Sequence, residues 1–274
     1  GPRARTQVLD KLEDDAVEKP KLREPTLTFK FPECSRLAPP VLPFDGVSFS
    51  YSGKKEDHLY EKLDIGVDCD SRIALVGANG TGKRTLLKLM LQQVEPTKGE
   101  VRQSRMCRIG VYNQHSCDQL AKDFKLAKGE KLMPVTYLMH KFPEYNYQQV
   151  RNMLGRFGLE GHHHEQEIHT LSGGQKSRVA FAQIMWQRPH LLLLDEPMAG
   201  AGSEESQHMI DIIDRVRGHA GILLIEHDMD AVFRLADRVT VLVEGAVIAS
   251  GTPAEISANR DVRTAYLGSE DAGA

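Results

Sequence analysis

The sequence predicts an α/β layered fold, and three observations carry that prediction. Arg72-Ile-Ala-Leu-Val76 is a short, continuously apolar run of the kind buried inside a sheet, and a glycine-rich turn leads from it into an apolar helix near Lys83–Gln93. Leu191–Leu194 is a second such run, ending in two acids. A helical pattern around Glu204–Val216 follows it, and then the strand Ile222–Ile225. Strands alternating with helices in this order build helix layers on a sheet.

The elements follow in chain order. Residues 1–40 carry dense charge and several prolines (Pro20, Pro25, Pro32, Pro39, Pro40) and read as a linker, with a short polar helix conceivable over 6–19. Phe44–Tyr51 alternates as a strand does, and Leu59–Val67 suggests its neighbour. Residues about 115–187 read as an inserted helical subdomain, with helices near Tyr147–Phe157 and Gln175–Gln187. Arg238–Val243 and Ala246–Ser250 flank Glu244-Gly245 as a hairpin does. The predicted organisation is thus a linker over 1–40, one domain over 41–257 and a C-terminal tail over 258–274.

Bulk composition excludes several classes. The 274 residues carry 41% hydrophobic side chains and a net charge of −3, enough for one full core and too acidic overall for a nucleic-acid glue. The four cysteines have neither zinc nor redox spacing and read as reduced thiols of a cytoplasmic protein. No apolar run approaches the ~18 residues that cross a bilayer, and no signal peptide is visible. The chain opens on Gly1-Pro2 without methionine, which points to a fragment whose partner domains lie outside it.

Chemistry concentrates in three segments. In Gly77-Ala-Asn-Gly-Thr-Gly-Lys83 the residues Gly77, Asn79, Gly80, Thr81 and Gly82 let the backbone curl with its N–H groups inward. The following helix N-terminus adds partial positive charge, and Lys83 adds a full one, so the loop is suited to ATP phosphates. A plain glycine turn is the bland alternative. The position after the lysine usually holds Ser or Thr, whose hydroxyl ligates Mg²⁺. Here it is Arg84, followed by Thr85. Arginine has no acceptor and cannot bind a metal. At the end of the second apolar strand, Asp195 is placed for the shell of a magnesium ion and Glu196 to polarise an attacking water. Ser172 is placed to cap a helix whose first free amides make an anion site.

Leu171-Ser172-Gly173-Gly174-Gln175, some twenty residues before the acid pair, resembles the signature of ATP-binding cassette (ABC) proteins. The resemblance implies a P-loop NTPase of the ABC ATPase type, with a mixed sheet core, an antiparallel β subdomain and the helical insert. It implies ATP and Mg²⁺ as ligands and ATPase chemistry. It also implies that the signature binds the γ-phosphate held by a second cassette, so that a lone domain carries two half-sites. That second cassette is either another copy of the chain or an N-terminal cassette outside it. By the same resemblance Tyr51 stacks on adenine, Gln114 touches the metal and the attacking water, and His227 contacts the γ-phosphate. A core-edge tyrosine and a structural histidine are the bland alternatives.

Within this family residues 1–197 resemble the second cassette of ABC-F proteins, which act at the ribosome. The match rests on the lead-in, Asp70-Ser-Arg-Ile-Ala-Leu-Val-Gly77, Tyr112-Asn-Gln-His115 and Leu171 through Trp186. After Pro197 that family continues Thr-Asn-His-Leu-Asp, whereas this chain reads Met198-Ala-Gly-Ala-Gly202. The remainder resembles ATPase subunits of bacterial branched-chain amino-acid importers, through Leu223-Leu-Ile-Glu-His-Asp-Met229, Ala236-Asp-Arg-Val239, Gly251-Thr-Pro-Ala-Glu255 and Arg263-Thr-Ala-Tyr-Leu-Gly268. A chimera joined at Asp-Glu-Pro accounts for both, and a divergent natural protein is the alternative. The resemblance to ABC-F proteins implies a ribosome-associated ATPase. The tail leaves a transporter ATPase open, docked on a membrane subunit, and Arg84 with Gly202 leaves a cassette that binds without hydrolysing. Among weaker signals, His162, His163 and His164 with Glu165 and His169 form a candidate metal cluster or a solvated loop. Lys122, Lys125, Lys128 and Lys131 form a candidate RNA-facing patch or a solvated face.

Overall fold

The computed structural model describes residues 34–78, 80–113, 115–120 and 131–267. Strand β1 (Leu42–Phe49) organises a small antiparallel sheet with β2 (Tyr60–Leu63), β3 (Gly66–Val67) and β5 (Lys98–Val101). The main sheet has six strands in the order β10-β9-β4-β8-β7-β6. These are β4 (Arg72–Gly77), β6 (Ile109–Asn113), β7 (Leu191–Asp195), β8 (Gly221–Ile225), β9 (Arg238–Val243) and β10 (Ala246–Gly251). All its pairs are parallel except β9–β10, so the sheet is mixed.

Strand periodicity sorts the core onto two faces. Leu191 and Leu193 of β7, with Ile73 and Leu75 of β4, pack with the small sheet and with helix α1 (Lys83–Met90). Leu192 and Leu194, with Ala74 and Val76, pack against the helical side. That side holds α2 (Ser116–Gln119), α3 (Pro134–Lys141), α4 (Tyr147–Arg156) and α5 (Gly173–Trp186) from the insert. It also holds α6 (Ser203–Arg215), α7 (Met229–Leu235), α8 (Pro253–Ala258) and α9 (Arg260–Leu267). Both faces being covered explains why these strands read as unbroken apolar runs.

The structure redraws some elements. The expected strand Leu59–Val67 is broken, because the Asp64 carboxylate accepts the Gly46 N–H at 2.6 Å and Lys62 takes a left-handed φ of 49°. Its halves pair with opposite ends of β1. Helix α1 stops at Met90 rather than Gln93, where Gln92 turns left-handed. The hairpin about Glu244-Gly245 lies where the sequence put it, with both turn residues at positive φ. Helix α8 runs across position 257, and Val262 of α9 is buried in the main core. The polar helix considered for 6–19 lies outside the described residues. Among the described residues no helix is long and apolar enough to cross a membrane.

Candidate functional site

Parallel strands bring their carboxyl ends to one edge, where α/β folds bind ligands. Residue pairing aligns Asn113 with Asp195 and Asp195 with Ile225, while Gly77 ends the neighbouring β4. A cleft of about 1020 Å³ opens there, lined by Tyr51, Gly77, Gly80, Gly82, Lys83, Arg84, Thr85, Asp195, Glu196 and His227. Segments as far apart as Tyr51 and His227, 176 residues, thus meet at one cleft.

The loop between β4 and α1 is built for close approach. Gly80 and Gly82 hold φ at 85° and 96°, a region side-chain-bearing residues avoid. A Cβ on Gly77 would lie 2.7 Å from the Leu242 carbonyl oxygen. The Thr81 hydroxyl donates to Ala78 O at 2.9 Å and pins the turn. No side chain caps α1, so its first amides remain for a ligand. Lys83 is buried, and its ammonium donates to the carbonyls of Gly77 and, at 3.4 Å, Ala78. Burial lowers its pKa below the usual lysine range, against the opposing pull of Glu196 and Asp195. An arriving phosphate anion would favour the charged form.

Arg84 crosses the cleft. Its Nε lies 3.4 Å from Asp195 Oδ2, and its terminal nitrogen 3.3 Å from Glu196 Oε2. Burial raises the Asp195 pKa above the usual carboxylate range, and Arg84 offsets part of that rise. Glu196 has a left-handed φ of 50°, held by its N–H on Ile225 O at 2.9 Å and by Ala199 N–H on its own carbonyl at 3.0 Å. Such backbone strain in a non-glycine residue is tolerated where the surroundings fix it.

Tyr51 and His227 frame the cleft. The Tyr51 ring is exposed, edge-on to Phe49, and tethered by a 2.9 Å hydrogen bond between its hydroxyl and Thr85 Oγ1. The Lys88 ammonium lies over the same ring, 6.0 Å from its centroid. The His227 ring is also exposed. Asn79 and Gln114 lie outside the described residues.

Mg²⁺ requires oxygen ligands in near-octahedral order. Arg84 stands at the hydroxyl position, and the Thr85 hydroxyl is engaged by Tyr51. Arg84 also covers Asp195 Oδ2, leaving Oδ1 as the buried carboxylate oxygen without a partner. Among the described residues, one free carboxylate oxygen beside a guanidinium, with no hydroxyl at position 84, is not a donor set that fits the metal.

The signature segment lies elsewhere. Ser172 Oγ accepts the Gln175 N–H at 3.2 Å while Gln175 Oε1 accepts the Ser172 N–H at 2.9 Å, a reciprocal cap that starts α5. Gly173 and Gly174 line a second, smaller cavity with Gly200, Ala201 and Glu205, and none of Ser172, Gly173, Gly174 or Gln175 lines the large cleft. The phosphate loop and the signature glycines thus line two separate cavities.

Two carboxylates were missed by sequence reasoning. Glu226, 1% exposed, accepts N–H groups of Met198 at 3.1 Å and His227 at 2.9 Å. It joins the loop after the acid pair to the base of the histidine. A charged residue closing an otherwise apolar strand was the available signal. Glu205 of α6 accepts the Gly174 N–H at 3.2 Å, and no local pattern announces that long-range contact.

The weaker signals resolve unevenly. Ligand atoms of His162, His163 and Glu160 lie within 4.8 Å of one another. His164 is instead buried on Leu159 O at 2.8 Å, Glu165 pairs with Arg151, and His169 pairs with Glu167. Lys131 pairs with Glu167 at 2.8 Å, whereas Lys122, Lys125 and Lys128 lie outside the described residues. Trp186 is buried against the core under Arg156. Gly200 needs its left-handed φ of 75°, while Gly202 takes an ordinary φ and starts α6.

A sequence model of the family described as ABC transporter matches residues 60–199, just over half of the chain. The chain belongs to that family. A second model, described as branched-chain amino acid ATP-binding cassette transporter, matches residues 246–272 of the cassette. Among curated relatives, ARB1 of Saccharomyces cerevisiae, an ABC transporter ATP-binding protein, is 40% identical over 239 residues, 86% of this chain and 37% of its own length. ATP-binding cassette sub-family F member 2 of Mus musculus is 36% identical, over 87% of this chain and 36% of its own. The chain therefore spans little more than a third of either relative. The 239 matched residues exceed the 197 first assigned to the ABC-F resemblance, so that similarity continues past Pro197. Among solved structures, cbiO1 of Clostridium perfringens, part of the ABC transporter complex cbiONQ, superposes with a TM-score of 0.67 at 26% identity, over 83% of this chain and 95% of that one. The dimeric bacterial cassette MJ0796 gives 0.60 at 19% identity, over 78% and 99%, and shares the fold. The mixed sheet, antiparallel subdomain and helical insert of the ABC ATPase fold are thereby established.

Proposed function

We propose that this cassette binds ATP in the large cleft and hydrolyses it slowly, as one half of a two-cassette sandwich. The carrying observation is the separation of half-sites: Lys83, Glu196, Tyr51 and His227 share one cleft, while the signature glycines line another. In this reading Tyr51 stacks on adenine, and the amides from Gly77, Asn79, Gly80, Thr81 and Gly82 onward cradle phosphates beside Lys83, Arg84 and Thr85. Glu196 accepts the proton of the attacking water, His227 and Gln114 orient the terminal phosphate and the water, and Asp195 holds Arg84 in place. Ser172, Gly173, Gly174 and Gln175 grip the triphosphate of the facing cassette, a second copy or a cassette elsewhere in a longer chain. By its resemblance to ABC-F proteins, the cassette acts in the cytoplasm at the ribosome. The match of residues 246–272 favours, as the second reading, an ATPase subunit under a membrane partner, and it agrees with a chimera that carries an importer-type tail. ATP-dependent co-sedimentation with ribosomes is expected under the first reading. Co-purification with a membrane subunit, and no ribosome binding, would replace it with the second.

A further inference from the structure

Building on the nucleotide-binding reading, we propose that the site takes ATP as the metal-free anion, with Arg84 supplying positive charge that a divalent cation would otherwise bring. Arg84 lies one residue beyond Lys83 at the start of α1, yet its guanidinium reaches β7 and bridges Asp195 Oδ2 and Glu196 Oε2. The bridge lies across the cleft that the phosphate loop lines.

Charge and ligand chemistry point the same way. Lys83 and Arg84 together balance Asp195 and Glu196, whereas a serine at position 84 would leave this quartet one charge negative. A triphosphate anion approaching an acid-rich edge needs a counter-cation. Here one is part of the chain, planar and able to donate two hydrogen bonds at once to phosphate oxygens. Its side chain is two-thirds exposed, so it can turn from the acids to a phosphate without disturbing the core. The same side chain obstructs the metal, because it has no lone pair, covers one Asp195 oxygen and adds like charge. The Thr85 hydroxyl, the nearest substitute ligand in sequence, is held by Tyr51. Arg84 thus acts in nucleotide binding twice, as cation and as gate against a second cation.

The test measures the affinity of the whole chain for a fluorescent ATP analogue, in EDTA and in excess Mg²⁺, for the parent and Arg84→Ser. The parent should bind with affinities within about threefold in the two conditions. Arg84→Ser should bind about tenfold more weakly in EDTA and recover in Mg²⁺. Electron paramagnetic resonance with Mn²⁺ supplies a second readout: the ATP-bound parent should leave Mn²⁺ free, and ATP-bound Arg84→Ser should take it up. A parent that loses tenfold or more in affinity when the metal is removed, or that takes up Mn²⁺ with ATP, overturns the inference while nucleotide binding stands. A folded parent that binds the analogue in neither condition overturns both.

Discussion

The buried carboxylate of Glu226 accepts the backbone N–H of Met198 at 3.1 Å, tying the end of β8 to the loop that leaves the acid pair. Its other oxygen accepts the N–H of His227 at 2.9 Å and of Asp228 at 3.4 Å. One side chain thereby fixes two segments that the proposed reaction needs in register. Glu226→Ala leaves these donors without an acceptor in a site closed to bulk water. Such a loss costs about 2 kcal/mol, or about 5 °C in Tm for a domain of this size. Glu226→Gln should fall between parent and alanine, since its amide restores one acceptor and sets a donor against donors. Thermal unfolding of the three proteins decides this, and an alanine variant as stable as the parent would remove Glu226 from any organising role.

Lys83→Ala should weaken ATP binding by about 30- to 150-fold. A charge-assisted contact from a buried ammonium to phosphate contributes about 2–3 kcal/mol. Lys83 is already desolvated and positioned by the loop carbonyls, so little ordering remains to be done on binding. Titration of a fluorescent ATP analogue reads the change directly. Equal affinities would mean that the nucleotide sits somewhere other than this loop.

Asp195→Asn links the raised pKa of Asp195 to stability. Burial holds this carboxyl above the ordinary range, so the fold binds the proton more tightly than the unfolded chain does. That stabilisation is complete below the ordinary carboxyl pKa, about 3.9, and is lost as pH rises through the raised native value. Asparagine mimics the protonated shape at every pH. The variant should therefore melt above the parent at neutral pH, and the gap should close as pH falls below about 4. A variant less stable than the parent at neutral pH would show that the Arg84 pair outweighs desolvation.

What the sequence made legible follows from locality. β4, β7 and β8 were readable because both sheet faces are covered, which writes them as apolar runs. The phosphate loop and the Ser172 cap were readable because their geometry is set within a few residues. The neighbour of β1 was misjudged, because Asp64 interrupts it by bonding Gly46 eighteen residues away. Arg84 was recognisable as a lost metal ligand, but its bridge to Asp195 and Glu196 spans over a hundred residues and depends on how α1 faces β7. Glu205 was invisible for the same reason, and the charge of Glu226 at the end of an apolar strand could mark it but not its partner Met198, which tertiary packing delivers.

Glu205→Gln should shift two quantities in opposite directions. The carboxylate rests on the Gly174 N–H and complements the positive end of α5. It therefore favours the fold by about 0.5–1 kcal/mol, and it repels a phosphate brought to the same glycines by a facing cassette. The variant should lose a little thermal stability and tighten ATP-dependent association by about two- to fivefold. Sedimentation velocity across a concentration series measures the second effect. Weaker association in the variant would make Glu205 a contact for the partner rather than a competitor of its phosphate.

Glu196→Gln tests the chemical role and the assembly together. Glutamine keeps the side chain's size and can keep the strained backbone, which is held by main-chain bonds to Ile225 and Ala199. It cannot accept a proton from water at neutral pH. General base action contributes about 10²–10⁴ in rate, so turnover should fall at least about a hundredfold. The change also removes one of the two anions that hold Arg84, leaving Asp195 alone at 3.4 Å. The guanidinium is then freer to meet phosphate, and ATP affinity should hold or rise. With binding intact and hydrolysis blocked, two composite sites, each joining one cassette's Lys83 to the other's Ser172, should close and persist. Sedimentation with ATP should show a dimer that the parent forms only transiently, and ADP should not support it. A variant that stays monomeric with ATP and turns over as fast as the parent would remove Glu196 from the chemistry and leave the Arg84 bridge as a purely structural tie between α1 and β7.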